Sequence, residues 1–243
     1  MTELHENEFI TEVNDGISLI QNKKGLTFGT DAFLLSSFVK PKKSGVAAEI
    51  GSGSGIISLL LAKRQKFKKI YALEVQEYYA SLTARNAVLN GVDNIVQAIH
   101  TDARSFKTEC DTVFMNPPYM KTESGKRNID DGKYAARHEV FGDVKELCLS
   151  ASKMLKYGGD LNVVYRPDRL ADLICAMRES GVEPKSICFV HQTPSHSPCL
   201  VLICGKKGGK SGVTLSRPLF LTDSEGNDTD DCKYIYENGE WVK

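Results

Sequence analysis

Apolar and polar positions along the chain form blocks that predict strands and helices in alternation. Short apolar runs, typical of buried strands, lie at residues 46–50, 69–74, 95–99, 111–115 and 160–165. Longer stretches between or after them predict helices at residues 56–64, 76–90, 144–156 and 167–180. Two final runs, at residues 186–191 and 199–205, predict an antiparallel pair. Because strands that alternate with helices form parallel sheets, the pattern predicts an α/β fold with a seven-stranded, mainly parallel sheet and an antiparallel last strand.

The two ends of the chain differ from this central block. Residues from about 10 to 29 carry an Asp-Gly turn signal between apolar pieces, which predicts a small hairpin. Thr30 or Asp31 can cap a helix that ends before Pro41. The end of the chain is acidic but contains aromatic residues such as Tyr236 and Trp241, so we expect it to pack on the domain. We therefore divide the chain into an N-terminal hairpin and helix (1–40), a central domain (41–210) and a C-terminal extension (211–243).

Composition limits the classes of function. The chain has 243 residues, and its Lys and Arg total of 31 equals its Asp and Glu total of 31, so any nucleic-acid site must be a local patch. The seven cysteines lack the close pairs of a zinc site and indicate free thiols in a reducing compartment. No apolar run approaches the roughly 20 residues of a membrane span. We expect a cytoplasmic protein with no membrane contact and no obligatory metal.

A glycine loop follows the first predicted strand of the central domain. Gly51, Gly53 and Gly55 alternate with Ser52 and Ser54, and a helix comes next. Such glycines let the backbone approach a ligand and expose amides at the start of the helix. A dinucleotide fingerprint would need a third glycine where Ile56 stands, and no Gly-Lys-Ser/Thr follows to form a phosphate loop. Both of these nucleotide sites therefore lose support.

The next strand ends in Glu74, about 20 positions past the glycines, where a carboxylate can accept both hydroxyls of a ribose. A carboxylate at this position indicates a cofactor that contains a nucleoside, but it does not distinguish one such cofactor from another. Asp102 follows the third strand, and taken alone it is a plain turn residue.

The sequence Asn116-Pro117-Pro118-Tyr119 follows the fourth strand. Prolines cannot occupy a central strand because they lack the amide donor, so Asn116 must stand at the strand's carboxyl end, where open α/β sheets bind ligands. The side-chain carbonyl of Asn116 and the backbone carbonyl of Pro117 are acceptors, and Tyr119 supplies a ring for stacking. This set suits a planar group that bears an NH2.

A long polar segment, residues 120–139, comes directly after this motif. It has a modest positive excess and is a candidate contact to phosphates, although a solvated surface loop has the same composition. The candidate residues are Lys121, Lys126, Arg127, Arg137 and His138. A second basic stretch, Lys206 to Lys210, is predicted to be a flexible loop.

Motifs along the whole chain resemble one family. They are Phe28-Gly-Thr-Asp-Ala-Phe-Leu-Leu, Glu-Ile-Gly-Ser-Gly-Ser-Gly, Met-Asn-Pro-Pro-Tyr, Ala136-Arg-His-Glu139, Gly205-Lys-Lys-Gly208, and Pro218-Leu-Phe-Leu with Tyr234-Ile-Tyr. They look like those of the bacterial S-adenosylmethionine-dependent enzymes that methylate the exocyclic N6 of the adenine beside the anticodon of a valine tRNA. The resemblance implies a Rossmann-like class I methyltransferase fold with helices on both faces, S-adenosylmethionine as cofactor and tRNA as partner.

The resemblance also implies roles for single residues. Asn116, Pro117 and Tyr119 would hold the target amine, while Asp102 would accept the adenine amino group of the cofactor and the Ala103 amide would meet its ring. The full implied cofactor set is Phe28, Thr30, Asp31, Glu49, Gly51, Ser52, Gly53, Gly55, Glu74, Val75, Asp102, Ala103 and Asn116. Glu49 stands where many members of the class carry Asp, and its carboxylate could meet a cation or a bound water.

Three alternatives share part of this pattern. Methyltransferases of release-factor glutamine use the same tetrapeptide, but they usually carry a sizeable helical N-terminal domain, and only about 40 residues precede the first strand here. Enzymes acting on guanine in ribosomal RNA or adenine in DNA would share the core. A non-enzymatic dinucleotide-binding module would keep the glycine loop and Glu74 but has no use for Asn116 and its prolines.

Overall fold

The computed structural model describes residues 4–23, 28–117 and 143–242 of the chain. Its strands are β1 (Glu8–Val13), β2 (Ile17–Asn22), β3 (Lys42–Ile50), β4 (Phe67–Glu74), β5 (Val96–His100), β6 (Cys110–Met115), β7 (Leu155–Tyr165), β8 (Val182–His191), β9 (Pro198–Lys207), β10 (Thr214–Leu215) and β11 (Leu219–Phe220). Its helices are α1 (Thr30–Phe38), α2 (Ile56–Lys63), α3 (Glu77–Leu89), α4 (Val144–Met154), α5 (Leu170–Glu179) and α6 (Asp230–Asn238).

The main sheet has the strand order β5-β4-β3-β6-β7-β9-β8. Strands β3 to β7 are parallel, and β9 runs antiparallel to both of its neighbours, β7 and β8. This agrees with the predicted seven-stranded sheet. The C-terminal extension adds β10 and β11, which pair in parallel with β8 and bring the total to nine strands. Each has only two residues, too few for a hydrophobic alternation to predict them.

Helices cover both faces of this sheet. On one face, α1, α2, the hairpin and α6 bury residues such as Leu34, Leu60 and Ile235. On the other, α4 and α5 bury residues such as Met154 and Met177. Since both faces are covered, the central strands are apolar throughout, as the short uninterrupted runs in the sequence indicate.

The structure corrects several predicted boundaries: β3 and β8 each begin four residues before the predicted strand, and two further changes affect the sheet around β7 and β9. The helix expected to reach residue 156 ends at Met154, and β7 begins at Leu155, with a shift in its pairing with β6 before Asp160. The basic stretch expected to be a flexible loop begins inside β9. There, Lys206 pairs with Asp160 at 2.8 Å and Lys207 donates to the carbonyls of Ser152 and Leu155, at the end of α4. These internal partners, and the pairing of Lys206 and Lys207 with β7 and β8, explain why both lysines belong to the sheet.

Both ends of the chain dock on the central domain. The hairpin β1-β2 lies against α3, while α6 lies against α1 through the rings of Phe33 and Tyr236, whose centroids are 5.1 Å apart. A further edge-on contact joins Phe38 to Trp241. Within the described residues, no helix is both long and apolar enough to cross a membrane.

Candidate functional site

The glycine loop between β3 and α2 has a shape that lets a ligand approach its backbone closely. Gly55, the residue before α2, has φ +84°, and a Cβ there would lie 2.8 Å from Thr83 Cγ2, so both backbone angle and space require glycine. At Gly51 and Gly53, which also have positive φ, a Cβ would meet no atom within 4 Å. The loop therefore presents its first two glycines to an open space at the carboxyl end of β3.

Helix α3 holds this loop in place. Thr83 Oγ1 donates to the Gly53 carbonyl at 2.8 Å, and Asn86 Nδ2 donates to the Ser54 carbonyl at 2.9 Å. The buried Asn86 amide also bonds both the amide and the carbonyl of Ile20 in β2. Sequence reasoning missed both residues. The available signal was a pair of asparagines, Asn86 and Asn90, four residues apart within a helix, where asparagine is a poor former.

Glu74 supports the loop from the end of β4. Its carboxylate accepts the amide of Gly53 at 2.9 Å and the amide of Gln76 at 3.0 Å, and the residue is buried. A carboxylate offers about four lone-pair sites, so two remain for further donors. Its predicted bonds to a ribose stay a prediction. Next to it, the Val75 carbonyl lies 3.0 Å from the Nε2 atom of His100.

The structure buries Glu49 at the end of β3 and bonds it to α2. The residue is 1% exposed, and its carboxyl group accepts from the amide and hydroxyl of Ser58 in α2. Burial raises the pKa of Glu49 to about 8; the bonds from Ser58 oppose this shift and the nearby Glu74 adds to it. The carboxyl group therefore joins the end of β3 to α2, and its predicted contact with the cofactor, a cation or a water stays a prediction.

Asp102 lies in the turn after β5, as predicted, but it has a partner that the sequence analysis did not assign. Nε of Arg104 donates to both carboxylate oxygens of Asp102. Nη2 of Arg104 makes the shortest of the three bonds, 2.6 Å, to Oδ2. These bonds hold the pKa of Asp102 below its ordinary value. Ala103 packs against the core on the α4 side of the sheet. A contact of Asp102 and Ala103 with an adenine ring stays a prediction.

Asn116 stands directly after β6 and bonds to the start of α1. Its Nδ2 donates to Asp31 Oδ2 at 2.8 Å. Because a carboxylate can only accept, the amide nitrogen must face Asp31, which leaves Asn116 Oδ1 as an acceptor for another group. Asp31 was predicted to contact the cofactor; the structure brings it to Asn116.

The neighbours of Asp31 have separate contacts. Phe28 packs against Phe33 with ring centroids 5.9 Å apart, and Thr30 lies beside Tyr236 of the C-terminal extension. Their predicted contacts with the cofactor stay predictions. Ser52 is buried and lies 3.3 Å from Thr83 through the two hydroxyl oxygens.

Pro117, which follows Asn116, is buried and is the last residue described before the gap. Several predicted site residues lie outside the described residues: Tyr119, Lys121, Lys126, Arg127, Arg137 and His138.

The glycine loop, Glu74 and Asn116 thus share one edge of the sheet, at the carboxyl ends of β3, β4 and β6. Together with the strand order and the single inserted antiparallel strand, this arrangement defines a class I methyltransferase fold. The chain belongs to the methyltransferase small domain family, whose model matches residues 21–172.

Individual proteins extend the similarity over most of the chain. A Phocaeicola vulgatus protein named tRNA1(Val) (adenine(37)-N6)-methyltransferase is 26% identical over 195 residues, covering 78% of this chain and 80% of its own. A Dyadobacter fermentans protein of the same name is 25% identical over 209 residues, covering 85% and 86%. Among solved structures, a predicted O-methyltransferase from Agrobacterium tumefaciens has a TM-score of 0.71 at 20% identity, covering 88% of this chain and 98% of its own.

Proposed function

We propose that the protein transfers a methyl group from S-adenosylmethionine to the exocyclic N6 of an adenine in tRNA, the one beside the anticodon of a valine tRNA. The observation that carries the chemistry is Asn116 at the end of β6, with its amide nitrogen held by Asp31 and its oxygen left to accept. The choice of substrate rests on the relatives of the same length, which bear the name of that activity.

The residues at the sheet edge fit S-adenosylmethionine. Gly51 and Gly53 face open space in which side chains of any other residue would stand, so the loop forms a cradle that a ligand can fill. Glu74 keeps lone pairs for the ribose hydroxyls. When bound, S-adenosylmethionine supplies a methyl group that its sulfonium has already activated.

The protein's own task is to hold and polarise the target amine. The lone pair of an amino group on adenine is delocalised into the ring, which makes it a poor nucleophile. When Asn116 Oδ1 and the Pro117 carbonyl accept its two hydrogens, the pyramidal form is favoured and growing positive charge on nitrogen is stabilised. Because Asn116 donates to a carboxylate, its carbonyl oxygen becomes a stronger acceptor.

Binding of the base and loss of a proton complete the proposed reaction. Stacking on Tyr119 would hold the base, by roughly 1–3 kcal/mol. A base in an RNA loop can be swung out of its stack at small cost. The methylated nitrogen is acidic and loses its proton to water, so no general base is required.

The test measures methyl transfer from labelled S-adenosylmethionine to total tRNA, ribosomal RNA and a release factor in parallel, followed by nuclease mapping of the labelled nucleotide. We expect label in tRNA as N6-methyladenosine next to the anticodon. Label confined to ribosomal RNA or to protein would disprove the tRNA assignment and leave the amine-methylating site intact. Absence of label from every substrate would contradict the proposed activity itself.

A further inference from the structure

A cavity of about 450 Å³ lies between the C-terminal extension, the hairpin and the first turn of α1. That volume is within the range of about 300–1,000 Å³ that small-ligand sites occupy. Its lining includes Thr30, Gln192, Thr222, Asp228, Lys233 and Tyr236. None of them belongs to the glycine loop or to the Asn-Pro motif, and of the predicted cofactor set only Thr30 lines the cavity, so the rest of its lining forms a separate site.

The cavity is linked to the reactive asparagine through the start of α1. Thr30 lines it, and the following residue, Asp31, bonds Asn116. Gln192 lines it from the carboxyl end of β8, and β8 runs in the same direction as β6 because β9 is antiparallel to both β7 and β8. The part of the cavity that Thr30 and Gln192 line therefore lies at the same edge of the sheet as Asn116.

The polar groups around the cavity favour a ligand with N–H donors. Within the part of the chain that the structure describes, the Asp228 carboxylate has neither a hydrogen-bond nor an ion-pair partner. The Gln192 amide reaches Thr222 only at 3.5 Å, which leaves its oxygen available. Asp228 and Glu237 outnumber the single cation Lys233, so the charge disfavours a phosphate.

The remaining walls suit a flat ring. Tyr236 supplies an aromatic ring that is fixed against Phe33, and Leu221 and Cys232 supply apolar surface. Proteins that recognise single-stranded RNA bind bases that have left their stack, using aromatic faces together with hydrogen bonds to the base edges. Acceptors, a fixed ring and an absence of net positive charge match a base, not a backbone.

We infer that this cavity binds a second, unpaired nucleobase of the RNA substrate, adjacent in the loop to the adenine that is methylated. The inference rests on the proposed function, since it requires an RNA substrate. Asp228 would accept from an exocyclic or ring N–H of that base while the target adenine is at Asn116.

The test compares Asp228→Ala with Glu225→Ala, each of which removes one negative charge from the C-terminal extension. Glu225 does not line the cavity. General electrostatics predicts that both variants bind RNA more tightly, because a repelling charge is lost. Base recognition predicts the opposite for Asp228→Ala. KM for a valine tRNA anticodon stem-loop should rise about fivefold, the loss expected for one hydrogen bond. KM for S-adenosylmethionine and kcat should stay unchanged.

The base is then located with stem-loops that carry a single abasic site at successive loop positions. At one position next to the target, the abasic RNA should raise KM for the wild-type protein and abolish the difference between wild type and Asp228→Ala. A KM for Asp228→Ala that equals or falls below that of Glu225→Ala would overturn the inference while the wild-type activity on RNA upholds the proposed function. A wild-type protein that methylates no RNA would overturn both.

Discussion

At the scale of single residues, the contact between Asp31 and Asn116 decides what the site can do. The two residues are 85 positions apart in sequence, and their 2.8 Å bond fixes which end of the Asn116 amide faces the open edge of the sheet. An asparagine free to rotate would present its donor half of the time. The carboxylate removes that ambiguity.

Replacing the asparagine should remove the acceptor and leave the cradle for the cofactor unchanged. We expect Asn116→Ala to lower kcat by roughly 100- to 1,000-fold, as the loss of a main transition-state contact does, with little change in the dissociation constant for S-adenosylmethionine. Single-turnover methylation and calorimetric binding provide the two measurements. A variant within tenfold of wild type would remove Asn116 from the chemistry.

Asp31→Ala distinguishes two roles for the aspartate, orientation of Asn116 and contact with the cofactor. If it acts through Asn116, kcat should fall roughly 10-fold to 100-fold while cofactor affinity is retained, because one orienting hydrogen bond to a charged group is lost. Asp172→Ala is the matched control, since that aspartate is paired with Arg169 on the surface of α5. A drop in cofactor affinity instead would restore the role that the sequence predicts for Asp31.

Glu49 should give the protein a pH-dependent stability. Its pKa is about 8 in the folded chain and near 4.3 in an unfolded one, so the folded state binds the extra proton between these values. Its contribution to stability is complete below about pH 4 and is lost as the pH rises to about 8. We expect Glu49→Gln to flatten the fall in melting temperature over that interval. Parallel curves for both proteins would show that Glu49 ionises normally.

At the scale of elements, the N-terminal hairpin and the glycine loop share one anchor on α3. Asn86 bonds β2 through Ile20 and the loop through Ser54, whereas Asn90 bonds β2 through Ser18 and does not contact the loop. The hairpin is thereby connected to the cofactor cradle. Comparing the two asparagines separates support of the hairpin, which both provide, from support of the glycine loop, which Asn86 provides.

Both Asn86→Ala and Asn90→Ala should reduce the free energy of unfolding, by roughly 1–3 kcal/mol, because buried partners are left unsatisfied. Only Asn86→Ala should also weaken S-adenosylmethionine binding, since only it releases Ser54. Urea denaturation and calorimetric binding on the same preparations test this. Equal effects of the two variants on cofactor affinity would show that the hairpin, not the loop contact, matters.

The sequence predicts features that depend on neighbouring residues, but not contacts between residues that lie far apart along the chain. Asn116 could be placed at a strand end because the prolines after it forbid pairing, which is a local constraint. The Asp31 contact could not, because nothing in the sequence near residue 31 depends on residue 116. The contact of Glu49 with Ser58 could not be predicted for the same reason, because whether a carboxyl at a strand end faces a cleft or the next helix depends on packing. The short strands β10 and β11 exist only because β8 offers an edge.

At the scale of the whole molecule, the C-terminal extension should unfold together with the central domain. Trp241 is the only tryptophan of the chain, and its ring packs edge-on against Phe38 of α1 at 5.1 Å. Its fluorescence therefore reports docking of the extension, while far-UV circular dichroism reports the sheet. We expect the two urea transitions to coincide, as in a single cooperative unit. A fluorescence change at lower urea would show that the extension detaches first.

The pairing of β10 and β11 with β8 has a consequence for biosynthesis. The ribosome makes these residues after β3 to β9, so a nascent chain whose other strands have assembled would still display the hydrogen-bonding groups of β8 without a cover. Residues 214–220 thus complete the border of the sheet. We infer that messages cut short before them would produce chains prone to stick edge to edge, even though every residue of the catalytic motifs had been translated.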